Sequence, residues 1–222
     1  MLETLIEWDK ALLLGINGWN SPFFDDVMFL ISDKWIWIPM YVSMLYLLIR
    51  SKQYNALYAV VAVALTVLFA DQFASGFCKP FFARLRPTHD PSMQPYVHLV
   101  HGHLSGLYGF CSSHASNTCG IAMLTALIFR NRWYTATVAS WAVLNCYSRM
   151  YMGVHYPGDI LCGAAAGLLI GYLCYKLYTI CPSFAKVTVT PLQSQQIVDK
   201  QVRVVIAVYL LTLLGMIIYA AW

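Results

Sequence analysis

Residues 148–159 combine a guanidinium, an imidazole and a carboxylate immediately before an apolar run. Pro157 suits the first turn of a helix, because its missing N–H needs no partner there. The free N–H groups and the positive dipole end of such a helix favour an anion such as phosphate, and Arg149 adds a planar fork of donors. His155 can attack or shuttle a proton, and Asp159 is expected on the same helix face, where it would orient the imidazole. The pattern predicts an anion site that contains a nucleophile or a base.

The composition places this site in a membrane protein. The chain has 222 residues, of which 59% are hydrophobic and 11% charged, and these values exclude an ordinary soluble domain. Several apolar runs are long enough to cross a bilayer, which takes roughly 20 residues of helix. The net charge of +4 is not clustered on a basic face, so nucleic acid is not an expected partner. We predict an all-α fold, a polytopic membrane helix bundle formed by a single domain over residues 1–222.

Hydrophobic patterning divides the chain into an N-terminal interfacial part and about six transmembrane helices. Residues 2–14 are amphipathic and are expected to lie in the membrane interface, followed by a turn over 15–21 and a short helix over 22–32. Trp35 and Trp37 suit the aromatic belt at the start of the first span. The six spans are predicted at residues 35–49, 54–77, 116–129, 133–147, 159–177 and 202–219.

The connections between the spans indicate how the chain is oriented. A polar loop over residues 79–113 is too long for a simple connection and is expected to carry function. A second polar loop is predicted over 181–201. When the spans are counted alternately, the side opposite the long loop holds Asp199 and the following cations: Arg50, Lys52, Arg130, Arg132, Lys176, Lys186, Lys200 and Arg203. The positive-inside rule makes that side cytoplasmic, so the site and both termini are expected outside.

Two further features of composition bear on packing and redox state. The fifth predicted span carries a small-residue face suited to close helix packing, formed by Gly163, Ala164, Ala165, Ala166, Gly167 and Gly171. The seven cysteines show no metal-type pairing and are expected to be small core residues. The sequence leaves open a disulfide between Cys78 and Cys111.

Three separated motifs carry a resemblance to a known family. The chain resembles the type 2 phosphatidic acid phosphatase superfamily, whose signature is K-x6-R-P, then P-S-G-H, then S-R-x5-H-x3-D. The first motif, from Lys79 to Pro87, and the third, from Ser148 to Asp159, match at every fixed position. The second matches at Ser112 and His114, with Cys in the place of Pro and Ser in the place of Gly. The resemblance covers about residues 20–180 and leaves the predicted span over 202–219 outside this core.

The resemblance implies a role for each motif residue. His155 is implied as the nucleophile that forms a phosphohistidine, Asp159 as the residue that orients it, and His114 as the general acid. The phosphoryl oxygens are implied to be held by Lys79, Arg86, Arg149, Ser112 and Ser113. Such cations meet what phosphoryl transfer needs, since the reaction depends on positioning and charge stabilisation, and no metal or other cofactor is required.

Several other polar residues have more than one interpretation. Arg84 is either a further phosphate or headgroup contact or a solvated loop charge, and Asp71 either partners a site cation or bonds between helices. His98, His101 and His103 lack added ligands, so they are expected either to line the entrance or to have no special role, rather than to bind metal. The departures at Cys111 and Ser113 spare every reacting atom, so activity is expected to survive.

We therefore predict an integral-membrane lipid phosphatase acting on a lipid phosphate or diphosphate, either undecaprenyl diphosphate or lipid A phosphate. Phosphatidylglycerophosphate and phosphatidic acid remain alternatives. Soluble vanadium-dependent haloperoxidases share the superfamily, but the apparent spans argue against that activity. A non-enzymatic lipid-binding or transport protein is the alternative of another class. The expected location is the bacterial inner membrane with the site facing the periplasm, in contact with membrane lipids, and the sequence leaves a homo-oligomer open.

Overall fold

The computed structural model describes residues 2–52, 56–180 and 191–222. Within these ranges the regular elements are helices, apart from an isolated antiparallel bridge between Leu85 and Tyr108, which confirms the all-α prediction. The α-helices are α1 (Leu2–Asn17), α2 (Pro22–Ser32), α3 (Ile38–Lys52), α4 (Ala56–Asp71), α5 (Lys79–Phe82), α6 (Ser113–Phe129), α7 (Arg132–Tyr151), α8 (Pro157–Ile180) and α9 (Pro191–Ala220).

The second membrane-spanning helix runs further than its sequence predicts. Helices α4 and α5 are joined by the π-helical residues Gln72–Cys78 into one continuous helix over Ala56–Phe82. It ends where Ala83 adopts a left-handed conformation with a φ of 45°. The predicted boundary at residue 77 was therefore wrong, since the first turn of the predicted loop is helical and carries Lys79.

Two other boundaries differ because amphipathic helices continue through polar residues. Helix α1 extends to Asn17, so the predicted turn over 15–21 begins only at Gly18. Helix α9 begins at Pro191, inside the loop predicted over 181–201. Residues 181–190 of that loop, and the predicted start of the second span at Tyr54, lie outside the described residues.

The lengths of the helices support a membrane protein but establish fewer than six spans. Three helices of the described chain are long and apolar enough to cross a bilayer, over Ala56–Phe82, Pro157–Ile180 and Gln195–Ala220. A fourth apolar helix, Ile38–Ser51, is shorter. The count of six is not confirmed.

Helices α6 and α8 pack closely through the predicted small-residue face. A Cβ atom added at Gly167 would lie 2.1 Å from the carbonyl oxygen of Ser116, and one at Gly171 would lie 2.4 Å from that of Gly120. Any side chain at these two positions would force the backbones apart. The prediction of a close-packing face is confirmed at both positions.

The start of α3 corrects the prediction of an aromatic belt. Trp35 is 65% exposed, as an interfacial residue would be, but Trp37 is fully buried. The indole N–H of Trp37 donates to the Ile31 carbonyl oxygen at 2.8 Å, and its ring packs against Trp141 and Tyr209. Trp37 therefore belongs to the core rather than to the membrane interface.

The three motifs meet because four helix ends lie together. The short helix α5, which starts at Lys79, ends there, and α7 ends there just after Arg149. Helix α6 begins there with Ser113, and α8 begins there at Pro157. Residues 83–112 connect α5 to α6 and include short 3₁₀ turns at Gln94–Tyr96 and Val100–Gly102. This end of the bundle holds the candidate site.

Candidate active site

His155 lies at the centre of the site, in the turn between α7 and α8. Its side chain is 1% exposed, with Nδ1 at 3.4 Å from Asp159 Oδ2 and Nε2 at 2.8 Å from Arg86 Nη1. A guanidinium only donates hydrogen bonds, so Nε2 must accept, and the ring proton belongs on Nδ1 facing Asp159. Burial, together with the charges of Arg86 and Arg149, lowers the pKa of His155 well below its usual value. The arrangement keeps His155 neutral, with the lone pair of Nε2 available for attack.

Asp159 is held by the structure around it. The side chain is fully buried, and Oδ2 accepts the backbone N–H of Tyr156 at 3.0 Å. Its other oxygen, Oδ1, accepts from Nη1 of Arg84 at 2.9 Å. The sequence predicted the contact with His155 along one helix face, but α8 begins only at Pro157. The contact is therefore made at the helix N-terminus, where Asp159 folds back over the turn.

Two buried guanidiniums face the site from different elements. Arg86 is 5% exposed and Arg149 4% exposed. Arg86 donates from Nη1 to the Val154 carbonyl oxygen at 2.9 Å, and burial lowers its pKa to about 10. Arg149 donates to the hydroxyl groups of Ser32 and Ser105. The Nε atom of each arginine is buried without a hydrogen-bond partner in the described chain.

Lys79 supplies a third cation through a hydroxyl network. Its Nζ donates to Ser113 Oγ at 2.6 Å and to Ser75 Oγ at 3.2 Å. Ser75 also lies 2.8 Å from Ser113 Oγ and 3.2 Å from Asp71 Oδ1. Asp71 thus reaches Lys79 only through Ser75, so the predicted partnership with a site cation is indirect. The π-helical segment between α4 and α5, a form of helix often found at functional sites, carries Ser75.

The charges of this set are unbalanced. In the part of the chain that the structure describes, none of Lys79, Arg86 and Arg149 forms an ion pair with a carboxylate. Buried cations are stable only when paired or bonded to an anion, because burial removes their hydration. Three converging cations beside a neutral imidazole are therefore suited to bind a phosphoryl group.

In the second motif, Ser112 has a structural role, whereas Ser113 and His114 lie at the candidate site. Ser112 is fully buried, its backbone N–H donates to the Asp159 carbonyl oxygen at 3.0 Å, and its Oγ caps α6. That backbone N–H is consequently not available to phosphate in this arrangement. Ser113 and His114 occupy the first turn of α6, where backbone N–H groups lack partners within the helix.

His114 stands where the site opens into an apolar cavity. The cavity has a volume of about 570 Å³ and lies among α3, α4, α6 and α7. Its polar end is formed by Ser113, His114 and Asp71, and its apolar walls reach Phe129 near the other end of α6. The cavity has the shape and chemistry to take a hydrocarbon chain whose polar head lies at His114.

Comparison with known proteins identifies the family of this chain. The model of the PAP2 superfamily matches residues 41–182, which is more than half of the chain. The chain belongs to the PAP2 superfamily. The type 2 phosphatidic acid phosphatase resemblance carried by the three motifs is thereby confirmed.

Relatives within this superfamily are similar over most of the chain. A lipid A 4'-phosphatase of Bacteroides thetaiotaomicron is 40% identical over 222 residues, covering 99% of this chain and 98% of the relative. A lipid A 4'-phosphatase of Porphyromonas gingivalis is 44% identical over 178 residues, covering 80% and 75%. The undecaprenyl-diphosphatase BcrC of Bacillus subtilis is 27% identical over 99 residues, covering 45% and 50%.

Two solved structures share the PAP2 fold. A transmembrane PAP2-type phosphatidylglycerolphosphate phosphatase from Bacillus subtilis has a TM-score of 0.61 at 20% identity, covering 82% of this chain and 90% of its own. Aquifex aeolicus LpxE has a TM-score of 0.57 at 22% identity, covering 75% and 93%. These similarities support the membrane helix bundle.

The candidate site also contains contacts that the sequence did not indicate. Arg84, for which the sequence left open a phosphate or headgroup contact and a solvated loop charge, bonds Asp159 and, through Nη2 at 2.7 Å, Asp9 on α1. Ser32 and Ser105 bond Arg149 from α2 and from the long loop. Isolated Asp and Ser residues outside any motif carry no local signal of such contacts.

The histidines of the long loop do not form one cluster around the site. His98 pairs with Asp25 at 2.8 Å, and His101 pairs with Asp26 at 2.9 Å. His103 packs edge-on against Phe29 of α2. The three histidines instead connect the loop to α2. Cys78 and Cys111, for which a disulfide was left open, are both buried free thiols.

Proposed function

We propose that this protein removes phosphate from lipid A, through a phosphohistidine formed at His155. Its superfamily and its relatives make it a membrane lipid phosphatase, and the choice of lipid is the proposal. The observation that carries the chemistry is that three cations without carboxylate partners, Lys79, Arg86 and Arg149, act on His155, whose Nε2 accepts from Arg86. Lipid A is favoured because both relatives that are at least 40% identical are named lipid A 4'-phosphatases.

In the first chemical step the lone pair of His155 Nε2 attacks phosphorus. The N–P bond forms as the P–O bond to the lipid breaks, and His114 gives its proton to the departing oxygen. Asp159 stabilises the charge that develops on the His155 ring through its contact with Nδ1. Arg86 leaves Nε2 and binds the phosphoryl oxygens instead.

In the second step water attacks the phosphohistidine. His114 now takes a proton from that water, the N–P bond breaks, and phosphate leaves while His155 returns to its neutral form. Lys79, Arg86 and Arg149 stabilise the charge on the phosphoryl oxygens in both transition states. These protein cations supply the charge stabilisation that a metal ion supplies in other phosphatases.

The proposed location is a bacterial cytoplasmic membrane, with the site on the outer side. The motif-bearing ends of α5, α6, α7 and α8 lie together, as alternating passes through a bilayer require, and the cations Arg130 and Arg132 lie at the other end of α6 and α7. Six passes, formed by α3, α4 with α5, and α6 to α9, are part of this proposal.

The orientation can be tested with an impermeant thiol reagent. Cys111 is fully buried and therefore unsuited, whereas Tyr96 is 72% exposed in the long loop. Tyr96→Cys is expected to gain labelling in intact cells, and Thr179→Cys, at the other end of α8, only after permeabilisation. The reverse pattern would place the site in the cytoplasm.

The activity is tested by phosphate release from the detergent-purified protein in EDTA. The substrates are lipid A, undecaprenyl diphosphate, phosphatidylglycerophosphate and phosphatidic acid, with His155→Ala and His101→Ala as a matched pair. We expect lipid A to be the best substrate, His155→Ala to abolish release, and His101→Ala, at a surface ion pair, to retain it. Faster turnover of another lipid would identify that lipid as the substrate instead. Absence of phosphate release from every lipid would favour a binding or transport protein.

A further inference from the structure

The carboxylate of Asp9, on the N-terminal helix α1, contacts the candidate active site. Asp9 lies outside residues 41–182, the part of the chain that matches the superfamily. It is followed by Lys10, whose Nζ bonds Glu7 on the surface of the same helix, whereas the Asp9 side chain is only 14% exposed. Asp9 therefore points into the protein, whereas the other carboxylates of this helix, Glu3 and Glu7, are exposed.

Both oxygens of Asp9 are bonded to groups that surround the catalytic pair. Oδ1 accepts the backbone N–H of Gly158 at 2.7 Å, in the first turn of α8. Oδ2 accepts from Nη2 of Arg84 at 2.7 Å, while Nη1 of the same guanidinium bonds Asp159 Oδ1 at 2.9 Å. One guanidinium thus bridges the carboxylate of α1 and the carboxylate that contacts His155.

The surroundings leave Arg84 little freedom. Its guanidinium lies over the ring of Tyr156, with the central carbon 4.1 Å from the ring centroid. A Cβ atom added at Gly158 would lie 3.0 and 3.3 Å from the Asp9 oxygens, so a residue without a side chain lets Asp9 approach the helix N-terminus. A carboxylate at that point is also favoured by the helix dipole.

We propose that Asp9 is a positioning residue for catalysis, acting through Arg84 on Asp159. This inference rests on the proposed function, because it requires His155 and Asp159 to be the catalytic pair. Asp9 holds Nη2 of Arg84, so that Nη1 bonds Asp159 Oδ1. The other oxygen of Asp159, Oδ2, is then left for His155 and Tyr156. When Asp9 is absent, Arg84 can rotate away and Asp159 loses its orientation toward Nδ1 of His155. Misplacement of reacting groups by fractions of an ångström lowers the rate of the chemical step more than it changes binding.

The test compares Asp9→Asn with Glu7→Gln, which removes the same charge from the same helix at an exposed position. Asp9→Asn keeps an oxygen for the Gly158 N–H but presents N–H donors to Arg84, so it removes the bridge selectively. We expect kcat for phosphate release to fall roughly tenfold, with KM unchanged within about twofold and the same thermal unfolding midpoint. Glu7→Gln is expected to match the unsubstituted protein in all three measurements.

A double-mutant cycle with Arg84→Gln tests whether Asp9 acts through Arg84. If Asp9 acts through Arg84, the double variant Asp9→Asn/Arg84→Gln has the kcat of Arg84→Gln alone, whereas independent effects would multiply. An unchanged kcat in Asp9→Asn, or multiplying effects, would overturn the positioning role while leaving the proposed function intact. Absence of phosphate release in the unsubstituted protein would overturn the proposed function itself, and with it this inference.

Discussion

Nη1 of Arg86 lies 2.8 Å from Nε2 of His155, the nitrogen expected to attack phosphorus. The same Nη1 also donates to the Val154 carbonyl oxygen, so the guanidinium is oriented by the turn that carries the histidine. Before substrate binds, this cation occupies the direction from which phosphorus must approach. Substrate phosphate can replace His155 as the hydrogen-bond partner of Arg86. Binding of the anion and release of Nε2 for attack then occur in the same step.

Arg86→Lys is expected to lower kcat about 100-fold without unfolding the protein. An ammonium group keeps the charge but lacks the planar fork that bonds Val154 and turns toward phosphate. Loss of one preorganised donor to a transition-state oxygen typically lowers kcat by about 10² to 10³. Phosphate release from lipid A is the measurement, with the exposed Arg132→Lys at the other end of the bundle as control. Full activity in Arg86→Lys would show that charge alone suffices.

The lowered pKa of His155 predicts how stability depends on pH. The folded protein keeps this imidazole neutral, whereas the unfolded chain binds a proton below about pH 6.5, so stability falls as the pH decreases through that value. The contribution reaches at most about 1.4 kcal/mol per pH unit. The thermal midpoint should therefore fall more between pH 7.5 and 5.5 in the unsubstituted protein than in His155→Gln. If the thermal midpoints of the two proteins fell in parallel as the pH decreases, His155 would bind its proton as well in the folded protein as in the unfolded chain.

Ser113→Gly and Ser113→Ala are expected to behave alike. The Ser113 hydroxyl accepts from Lys79 at 2.6 Å, so both variants leave the ammonium bonded to Ser75 alone and less well oriented. We expect a change of a few fold in kcat/KM for lipid A, because Lys79 keeps its charge and one partner. Lys79→Ala should lose far more activity. Impairment of the Ala variant alone would instead show that a side chain obstructs the phosphate.

Gly167→Ala is expected to destabilise the contact between α6 and α8. The new Cβ would lie 2.1 Å from a backbone oxygen, and overpacking of this kind typically costs about 1–3 kcal/mol. Gly215→Ala on α9 is the matched control, since its Cβ would meet no atom within 4 Å. Thermal unfolding in detergent should show a lower midpoint for the first variant only. Equal midpoints would mean that α6 and α8 can move apart without loss of stability.

Local sequence features were reliable where a short segment decides the structure. Pro157 begins α8 and Pro22 begins α2, as predicted, because proline is favoured in a first helical turn. The glycine spacing of α8 likewise predicted a close helix contact. Trp37 was assigned to the interface because its position near a span end suggests it, but its burial depends on Trp141 and Tyr209 from distant segments.

The sequence by itself predicted which groups react: His155 and Asp159 from their spacing at the start of a helix, and His114 from its place in a motif of the family that the chain resembles. Only the tertiary structure decided which partner each charge takes. Arg84 bonds Asp9 and Asp159, each 75 residues away along the chain, in preference to a phosphate-facing position. Such a choice depends on the distance between atoms of separate segments, here a loop and two helices, and on their burial, because electrostatic interactions strengthen as water is excluded. Neither quantity is encoded in the local pattern of residues.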